Sequence, residues 1–364
     1  MPKLTKLLKR LLLLFPLACV VFFTFFWLRA PAGTVLGKFR AASGSVISHM
    51  LPGSPRLKQE DGVTNILLIG IDRRSSVPYT YQGIDGAVVH NGFLADTIMV
   101  ASVNSAAHRV SLLSLPRDLW VTIPAYGDLQ KQYSKINAAH ALGDRFSNEE
   151  NGGILLVKEV VEEIADIPIH YWARIDFEGF EKGVDAVEGV DILVERSFDD
   201  YMFPRLGFEN AAWEQRWEYV HFDTGVQHMD GATALKYARS RHAYGPEGTD
   251  FARAQRQQNV IIALKNKVIS SETLFSVTKI KALYGAVANN LKTDIELSEI
   301  PYFFSLAQDL ALEEIKTYSL TDQESRLLTT PADISLYGNA WVLIPTAGSN
   351  NFSEVQEYVK KALY

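Results

Sequence analysis

Almost nothing in this 364-residue chain can cross-link it. Cys19 is its single cysteine, so it forms no internal disulfide and no cysteine metal site, and nothing in it is cysteine-linked. A positive field is also missing. Lys and Arg number 36 against 42 Asp and Glu, for a formal net charge of −6, and the pI is about 5.8. Proteins that track nucleic acid carry a broad basic surface, because neutralising phosphates supplies most of their affinity. Nucleic acid is therefore excluded as a partner. The eight histidines show no metal-ligand spacing, and no Ser-His-Asp order or helix-turn-helix pattern occurs. No internal repeat or low-complexity tract follows the N-terminal region. With 47% hydrophobic residues, the chain is long enough for a sizeable core in one or two domains.

One long apolar run is present. Leu11 to Leu28 is uncharged over 18 residues, about 27 Å as a helix against a hydrocarbon core of about 30 Å. Lys3, Lys6, Lys9 and Arg10 precede it, while Arg29, Lys38 and Arg40 follow. The positive-inside bias then assigns residues 1–10 to the cytoplasm and the rest of the chain to the outside of the cell membrane. A cleaved signal peptide is the competing reading. It would need a shorter apolar region ending in small residues, whereas this run ends in Phe25-Phe26-Trp27, an interfacial pattern. A retained single-pass anchor over 11–28 is expected. Residues 29–62 read as a linker, with Pro31, Gly33, Gly37, Gly44, Pro52, Gly53 and Pro55 scattered through polar sequence.

Beyond the linker, strand and helix patterns alternate. Ile66 to Ile71 is a continuous apolar run of strand length, as in a sheet covered on both faces. Thr97 to Val103 and Arg109 to Leu115 read as two strands joined closely enough for a hairpin. Helices are expected near 153–165, 177–187, 229–240 and 250–268, with strands near 171–175 and 190–194. The tail adds helical patterns near 272–290 and 298–311, strands near 314–320 and 340–345, and a last helix from Ser353. The fold class is α/β: an α-β-α sandwich with a central mixed sheet, preceded by one N-terminal transmembrane helix.

This layout brings charges together. In an antiparallel hairpin the start of 97–103 lies beside the end of 109–115, which makes Asp96 a neighbour of Arg117 and Asp118. Asp72 ends the strand 66–71 and joins the same rim if that strand runs parallel to 109–115. Asp72 and Asp96 with Arg117 then make a site for a phosphate and a divalent cation, since Mg²⁺ takes one or two carboxylates plus water and substrate phosphate.

The densest polar pattern is Arg239-Ser-Arg241 followed by Asp250-x-x-Arg253-x-x-Arg256-Gln257. On a helix Asp250, Arg253 and Gln257 share a face, with Arg256 at its margin. The cations are all arginine, whose rigid fork matches phosphate oxygens bidentately. A local arginine cluster in an acidic protein suits a small polyanionic group. Each residue also has an ordinary explanation. Asp72 and Asp118 fit turn or cap positions, and Asp250 fits an N-cap for which Thr249 competes. Lys135 reads equally as a solvated lysine, and Arg239 and Arg241 as favourable charges at a helix end.

Set in order, these blocks resemble a known family. They are Asn65-Ile-Leu-Leu-Ile-Gly-Ile-Asp72-Arg-Arg74, Ala95-Asp96-Thr-Ile-Met-Val, Ser114-Leu-Pro-Arg117-Asp118 and Lys135-Ile-Asn137-Ala-Ala. They continue with Val184-Asp185-Ala-Val-Glu-Gly189-Val190, Met229-Asp-Gly-Ala-Thr-Ala-Leu-Lys-Tyr-Ala-Arg239-Ser-Arg241 and Asp250-Phe-Ala-Arg253-Ala-Gln-Arg256-Gln257. Over about 63–270 the chain is similar to the LytR-CpsA-Psr family of bacterial cell-wall proteins, with 271–364 an extension of the same fold. The resemblance implies a membrane-anchored phosphotransferase. Such an enzyme moves a glycopolymer from an undecaprenyl-pyrophosphate-linked donor onto a peptidoglycan acceptor, forming a phosphodiester. It implies that Asp72 and Asp96 bind Mg²⁺, with Mn²⁺ as a substitute, and that Arg117, Arg239, Arg241 and Gln257 bind pyrophosphate. Lys135, Asp250, Arg253 and Arg256 match further polar positions of the active site. Asp96 or Asp250 is the candidate base.

Departures from the family pattern are a longer stretch between Asp72 and Asp96, Asn104-Ser105 after the second strand, and an aromatic-rich segment at 199–222. Local packing, sugar binding or cover for a prenyl tunnel are the roles open to that segment. A prenyl-pyrophosphate phosphatase, a non-catalytic envelope regulator and a lipid-binding scaffold are the competing functions.

Overall fold

The computed structural model describes residues 57–364, except 72–79, 83–87, 91–92, 105–106, 108, 206–207, 209–210, 270–284, 286–289, 297–298, 300–302, 304–314 and 323. The expected anchor over 11–28, most of the linker, Asp72 and most of the helical patterns near 272–290 and 298–311 lie outside the described residues. Among the described residues no helix is long and apolar enough to cross a membrane.

In chain order the first half comprises β1 (Val63–Ile71), β2 (Thr80–Gln82), β3 (Val88–His90), β4 (Ala95–Asn104), β5 (Arg109–Leu115), β6 (Trp120–Ile123), β7 (Gln132–Lys135), α1 (Ala138–Phe146) and α2 (Gly152–Ala165). The middle comprises β8 (Tyr171–Asp176), α3 (Phe177–Ala186), β9 (Val190–Val194), β10 (Phe198–Pro204), β11 (Trp217–Phe222), β12 (Gly225–Met229), α4 (Gly231–Arg239) and α5 (Asp250–Ile269). The end comprises β13 (Leu291–Thr293), β14 (Ile315–Ser319), β15 (Leu328–Thr329), β16 (Ile344–Pro345) and α6 (Ser353–Leu363).

The central sheet is mixed, in the order β13-β8-β1-β4-β5-β14. β1 pairs antiparallel with β4 and parallel with β8, while β5 pairs antiparallel with β4 and parallel with β14. β1 and β5 therefore run the same way, the condition that brings their carboxyl ends to one rim. Alternation along the strands sorts the two faces. Leu67, Ile69, Ile71, Ile98, Val100, Leu113 and Leu115 join Ile154, Val157, Val161, Val355 and Val359 in one buried cluster, so α2 and α6 cover that face. The opposite face carries Ser114, whose Oγ accepts from Gln258 Nε2 of α5 at 2.9 Å. Each fully buried Leu or Ile contributes about 1.5–3 kcal/mol, and Leu113→Ala would cost about 2–5 kcal/mol. A second cluster joins β9–β12 to α4 and α5 through Val190, Phe198, Phe222, Tyr237 and Val260.

Local chemistry moves two expected boundaries. The segment expected to be helical from 229 pairs Met229 with Val190 as the end of β12, because Asp230 caps the helix by accepting from Thr233 N at 2.8 Å. At α5 the competition for the cap goes to Thr249, whose Oγ1 accepts from Ala252 N at 3.1 Å. That leaves the Asp250 carboxylate to pair with Arg253 at 2.8 Å. The strand expected near 340–345 shortens to β16, with Leu343 making an isolated bridge to Leu119. Segment 199–222, read only as aromatic-rich, is a β10–β11 hairpin carrying a register shift between Asp200 and Phe203.

Candidate active site

Where β5 and β14 end and β4 begins, a small cleft is lined by Asp96, Arg117, Asp250, Arg253 and Gln257. The hydroxyl residues Thr97, Ser114, Ser319 and Thr321 complete its polar wall. Asp250, Arg253 and Ala254 belong to the first turns of α5, so the positive end of a 20-residue helix sits at the cleft.

The hairpin register explains the meeting of Asp96 and Arg117. Ile98 pairs with Leu115, so the residues before the one and after the other are neighbours. Arg117 Nη1 donates to Asp96 Oδ1 at 2.8 Å. Asn137 clamps both chain segments with its backbone: its carbonyl accepts from Ala95 N at 3.1 Å and its N–H donates to the Arg117 carbonyl at 3.3 Å. Burial alone would lower the Arg117 pKa, but Asp96, Asp118 and Asp250 outweigh it and raise the value above that of an ordinary arginine. Arg117 Nε lies 3.4 Å from Asp118 Oδ2, close enough for charge attraction but without a hydrogen-bond partner. Asp118 in turn accepts from Lys135 Nζ at 2.6 Å. Lys135 therefore supports the Arg117 side of the site without lining the cleft.

Arg253 faces Arg117 from the helix and is buried. Burial pushes its pKa down; Asp250 opposes this and Arg117 adds repulsion. Arginine stays protonated regardless. Two guanidiniums held near each other favour a bound anion, and rigid donors prepared for developing charge are what phosphoryl transfer needs.

The remaining expected residues divide into two groups. Arg239 lies over the rings of Phe177 and Phe203, with its guanidinium carbon 4.2 and 5.4 Å from their centroids. Arg241 follows two residues later, on a segment fixed by buried Asp200. That carboxylate accepts from Ser240 Oγ at 2.5 Å, Arg241 N at 3.1 Å and His242 N at 3.2 Å. Gln257 Nε2 donates to the Ala238 carbonyl at 3.4 Å, which places the Arg239–Arg241 segment beside the cleft rather than on its lining. Arg256 is not at the ligand face, contrary to its expected binding role. It is 2% exposed and donates to the carbonyls of Tyr237, Ser240 and Glu247 and to Glu247 Oε2. Standing immediately before Gln257 on the helix, it turns into the interior, where it fastens the 240–249 loop to α5. Asp200, Asn137 and Gln258 were missed by sequence reasoning, since a buried carboxylate and backbone clamps leave no spacing signal.

Asp72 lies outside the described residues; Ile71 before it pairs with Ala95, next to Asp96. Among the described residues no group of three or more His, Cys, Asp or Glu could hold a metal ion. Asp96 and Asp250 are hard oxygen donors on one cleft. Each is already ion-paired, Asp96 with Arg117 and Asp250 with Arg253, both at 2.8 Å, so a cation that takes one or two carboxylates plus water and phosphate would have to share them with the arginines.

The profile of the LytR_cpsA_psr family matches residues 40–341. The chain belongs to this family. The match extends beyond the motif region at both ends. The chain is 30% identical over 245 residues to the polyisoprenyl-teichoic acid–peptidoglycan teichoic acid transferase TagU of Oceanobacillus iheyensis, covering 67% of this chain and 63% of the relative. It is 31% identical over 236 residues to the enzyme of the same name from Enterococcus faecalis, covering 65% of this chain and 63% of that one. The matched part thus spans less than two thirds of these relatives. The crystal structure of B. subtilis TagV is 25% identical, with a TM-score of 0.56 over 84% of this chain and 98% of that one. This LytR_cpsA_psr domain therefore shares its mixed α/β architecture with a solved family member.

Proposed function

We propose that this protein is a membrane-anchored phosphotransferase. It moves a glycopolymer from a polyprenyl-pyrophosphate carrier, of the undecaprenyl type, to peptidoglycan. The observation that carries the reading is the cleft in which Asp96, Arg117, Asp250, Arg253 and Gln257 meet at the start of α5. Membership of a family whose relatives include enzymes named as polyisoprenyl-teichoic acid–peptidoglycan teichoic acid transferases supports the choice of donor and acceptor.

In the proposed step an acceptor hydroxyl oxygen attacks the phosphorus that bears the glycan. A new P–O bond forms, the P–O–P bridge breaks, and the electron pair leaves with prenyl monophosphate. The hydroxyl proton passes to Asp96 or Asp250. Arg117 and Arg253 hold the diphosphate, with Arg239, Arg241 and Gln257 alongside, and neutralise charge as it develops. Asp72 and Asp96 would hold Mg²⁺ or Mn²⁺, which would supply further neutralisation of the diphosphate when bound and leave Asp250 to take the proton in the metal-loaded site. Leu11 to Leu28 serves as the anchor, which puts the domain outside the cell membrane where peptidoglycan lies.

The test uses the full chain in detergent with Mg²⁺ and a polyprenyl-pyrophosphate-linked glycan, with and without a peptidoglycan oligomer. Mass spectrometry follows both products. Prenyl monophosphate release coupled to a glycan-phosphate mass gain on the acceptor is expected. Release that ignores the acceptor would make the protein a pyrophosphatase, and no release at all would overturn an enzymatic role.

A further inference from the structure

The β10–β11 hairpin holds Arg241 in place with one face and exposes aromatic rings on the other. Strand alternation produces this division. Phe198, Asp200, Phe203, Val220 and Phe222 turn inward and are buried. On the outer face Tyr201 and Tyr219 are 55% and 57% exposed although their ring centroids are 5.0 Å apart. Tyr244, 82% exposed, stands 6.1 Å from Tyr201 and extends the row beyond the hairpin. Trp213, also well exposed, packs edge-on against Trp217 at 5.0 Å. Water gains nothing from such a row, and large rings rarely stay exposed in a group without a partner.

Two further observations define the partner. Tyr219 is fixed in place: its hydroxyl donates to Asp199 Oδ1 at 2.5 Å, and His221 Nδ1 lies 2.7 Å from the same oxygen. An exposed ring locked by a hydrogen bond loses little entropy on binding. The segment also carries an excess of acid, with Asp199, Glu214, Glu218 and Asp223 against Arg205 and Arg216, although Glu218 is ion-paired to Lys236 at 2.9 Å and Asp199 and Asp223 both contact His221. That excess of carboxylates disfavours an anionic bilayer and a phosphate-rich polymer. It leaves the carboxylates as acceptors for sugar hydroxyl and amide N–H groups.

We propose that the outer face of this hairpin is a saccharide subsite, which takes uncharged N-acetylhexosamine rings of the acceptor strand and not the anionic donor polymer. The name acceptor rests on the transferase reading; the sugar binding does not. Asp200 points inward to the Arg241 segment while its neighbour Tyr201 faces out. A strand bound here would therefore be held next to the phosphate-binding arginines.

The experiment uses the full chain in detergent and a β-1,4-linked N-acetylglucosamine tetramer, followed by saturation-transfer NMR without any donor. Binding by the wild type and at least fivefold weaker binding by Tyr201→Ala and Trp213→Ala are expected. Both changes are at exposed rings, so unaltered melting temperatures check the fold. In the transfer assay the same variants should raise the acceptor KM at least fivefold and leave acceptor-independent release of prenyl phosphate unchanged. Tetramer binding that is absent, or equal in wild type and variants, would overturn the proposal even if transfer is normal. Binding that is lost in the variants would sustain the subsite even if no transfer occurs, and only the transferase reading would fall. If the variants instead lose binding to poly(glycerol phosphate) or to anionic vesicles, the face serves the donor or the membrane and the proposal fails.

Discussion

Asp200 is predicted to set the position of Arg241, and Asp200→Asn tests this. The carboxylate is fully buried and accepts four hydrogen bonds, from Ser240 Oγ, Arg241 N and His242 N on Oδ2 and from Met202 N at 3.0 Å on Oδ1. All three backbone partners are donors only. Asparagine fills the same volume but turns one acceptor into an NH₂ group, and its best orientation sets that group against Met202 N. One charge-assisted hydrogen bond, worth about 1.5–3 kcal/mol, is lost and one buried N–H is left without an acceptor. Relief from burying a charge offsets part of this. The net cost should be about 2–3 kcal/mol, a drop in Tm of roughly 3–5 °C by calorimetry for a folded domain of this size. The Oδ2 side retains an oxygen but holds the Arg241 segment more weakly, so release of prenyl phosphate should fall at least tenfold. In an Arg241→Ala background the same Asn change should cost little further activity, because coupled residues do not add. A Tm within 1 °C of wild type, or an equal loss of activity in both backgrounds, would refute the reasoning.

Asp96→Ala and Arg241→Ala should abolish turnover with the circular dichroism spectrum intact; turnover unchanged in both would overturn the site assignment. Arg256→Lys should destabilise the fold by about 3 kcal/mol in denaturant titration, because lysine cannot reproduce the forked bonds to Tyr237, Ser240 and Glu247, and should also lower turnover through the loosened loop that carries Arg241. A stable but inactive Arg256→Lys would contradict its placement. His140 is buried, with Nδ1 2.7 Å from the Phe93 carbonyl and Nε2 3.1 Å from Arg174 Nη1. Burial lowers its pKa; Asp144 pulls it up and Arg174 pushes it further down. The unfolded histidine takes a proton near its ordinary value of 6.5 while the folded one resists. The unfolded state then binds more protons, and stability falls as pH drops below about 6.5, by at most about 1.4 kcal/mol per pH unit for this group. Denaturation midpoints between pH 7.5 and 5.5 should flatten in His140→Gln, and an unchanged slope would remove His140 as the cause.

Periodicity and charge spacing by themselves determined a good deal here. A continuous apolar run marked β1, as a sheet covered on both faces requires, and β4 and β5 were legible as two strands joined by a short connection. The short connection between β4 and β5 required Asp96 and Arg117 to meet, and the structure has them 2.8 Å apart. The i, i+3, i+7 spacing likewise put Asp250, Arg253 and Gln257 on one face, where they line the cleft. Tertiary structure decided the rest. Arg256 lies beside Gln257 on the same helix, yet it serves the interior, because the docking of the 240–249 loop and the end of α4 supplies its carbonyl partners. Thr249 rather than Asp250 caps α5, a choice between adjacent residues that local propensity leaves even. Asp200, buried beneath an exposed aromatic row, carries no signal in its own neighbourhood. Apart from Met202, its donors are some 40 positions away in sequence, and contacts between distant segments are properties of the fold, which local pattern does not encode.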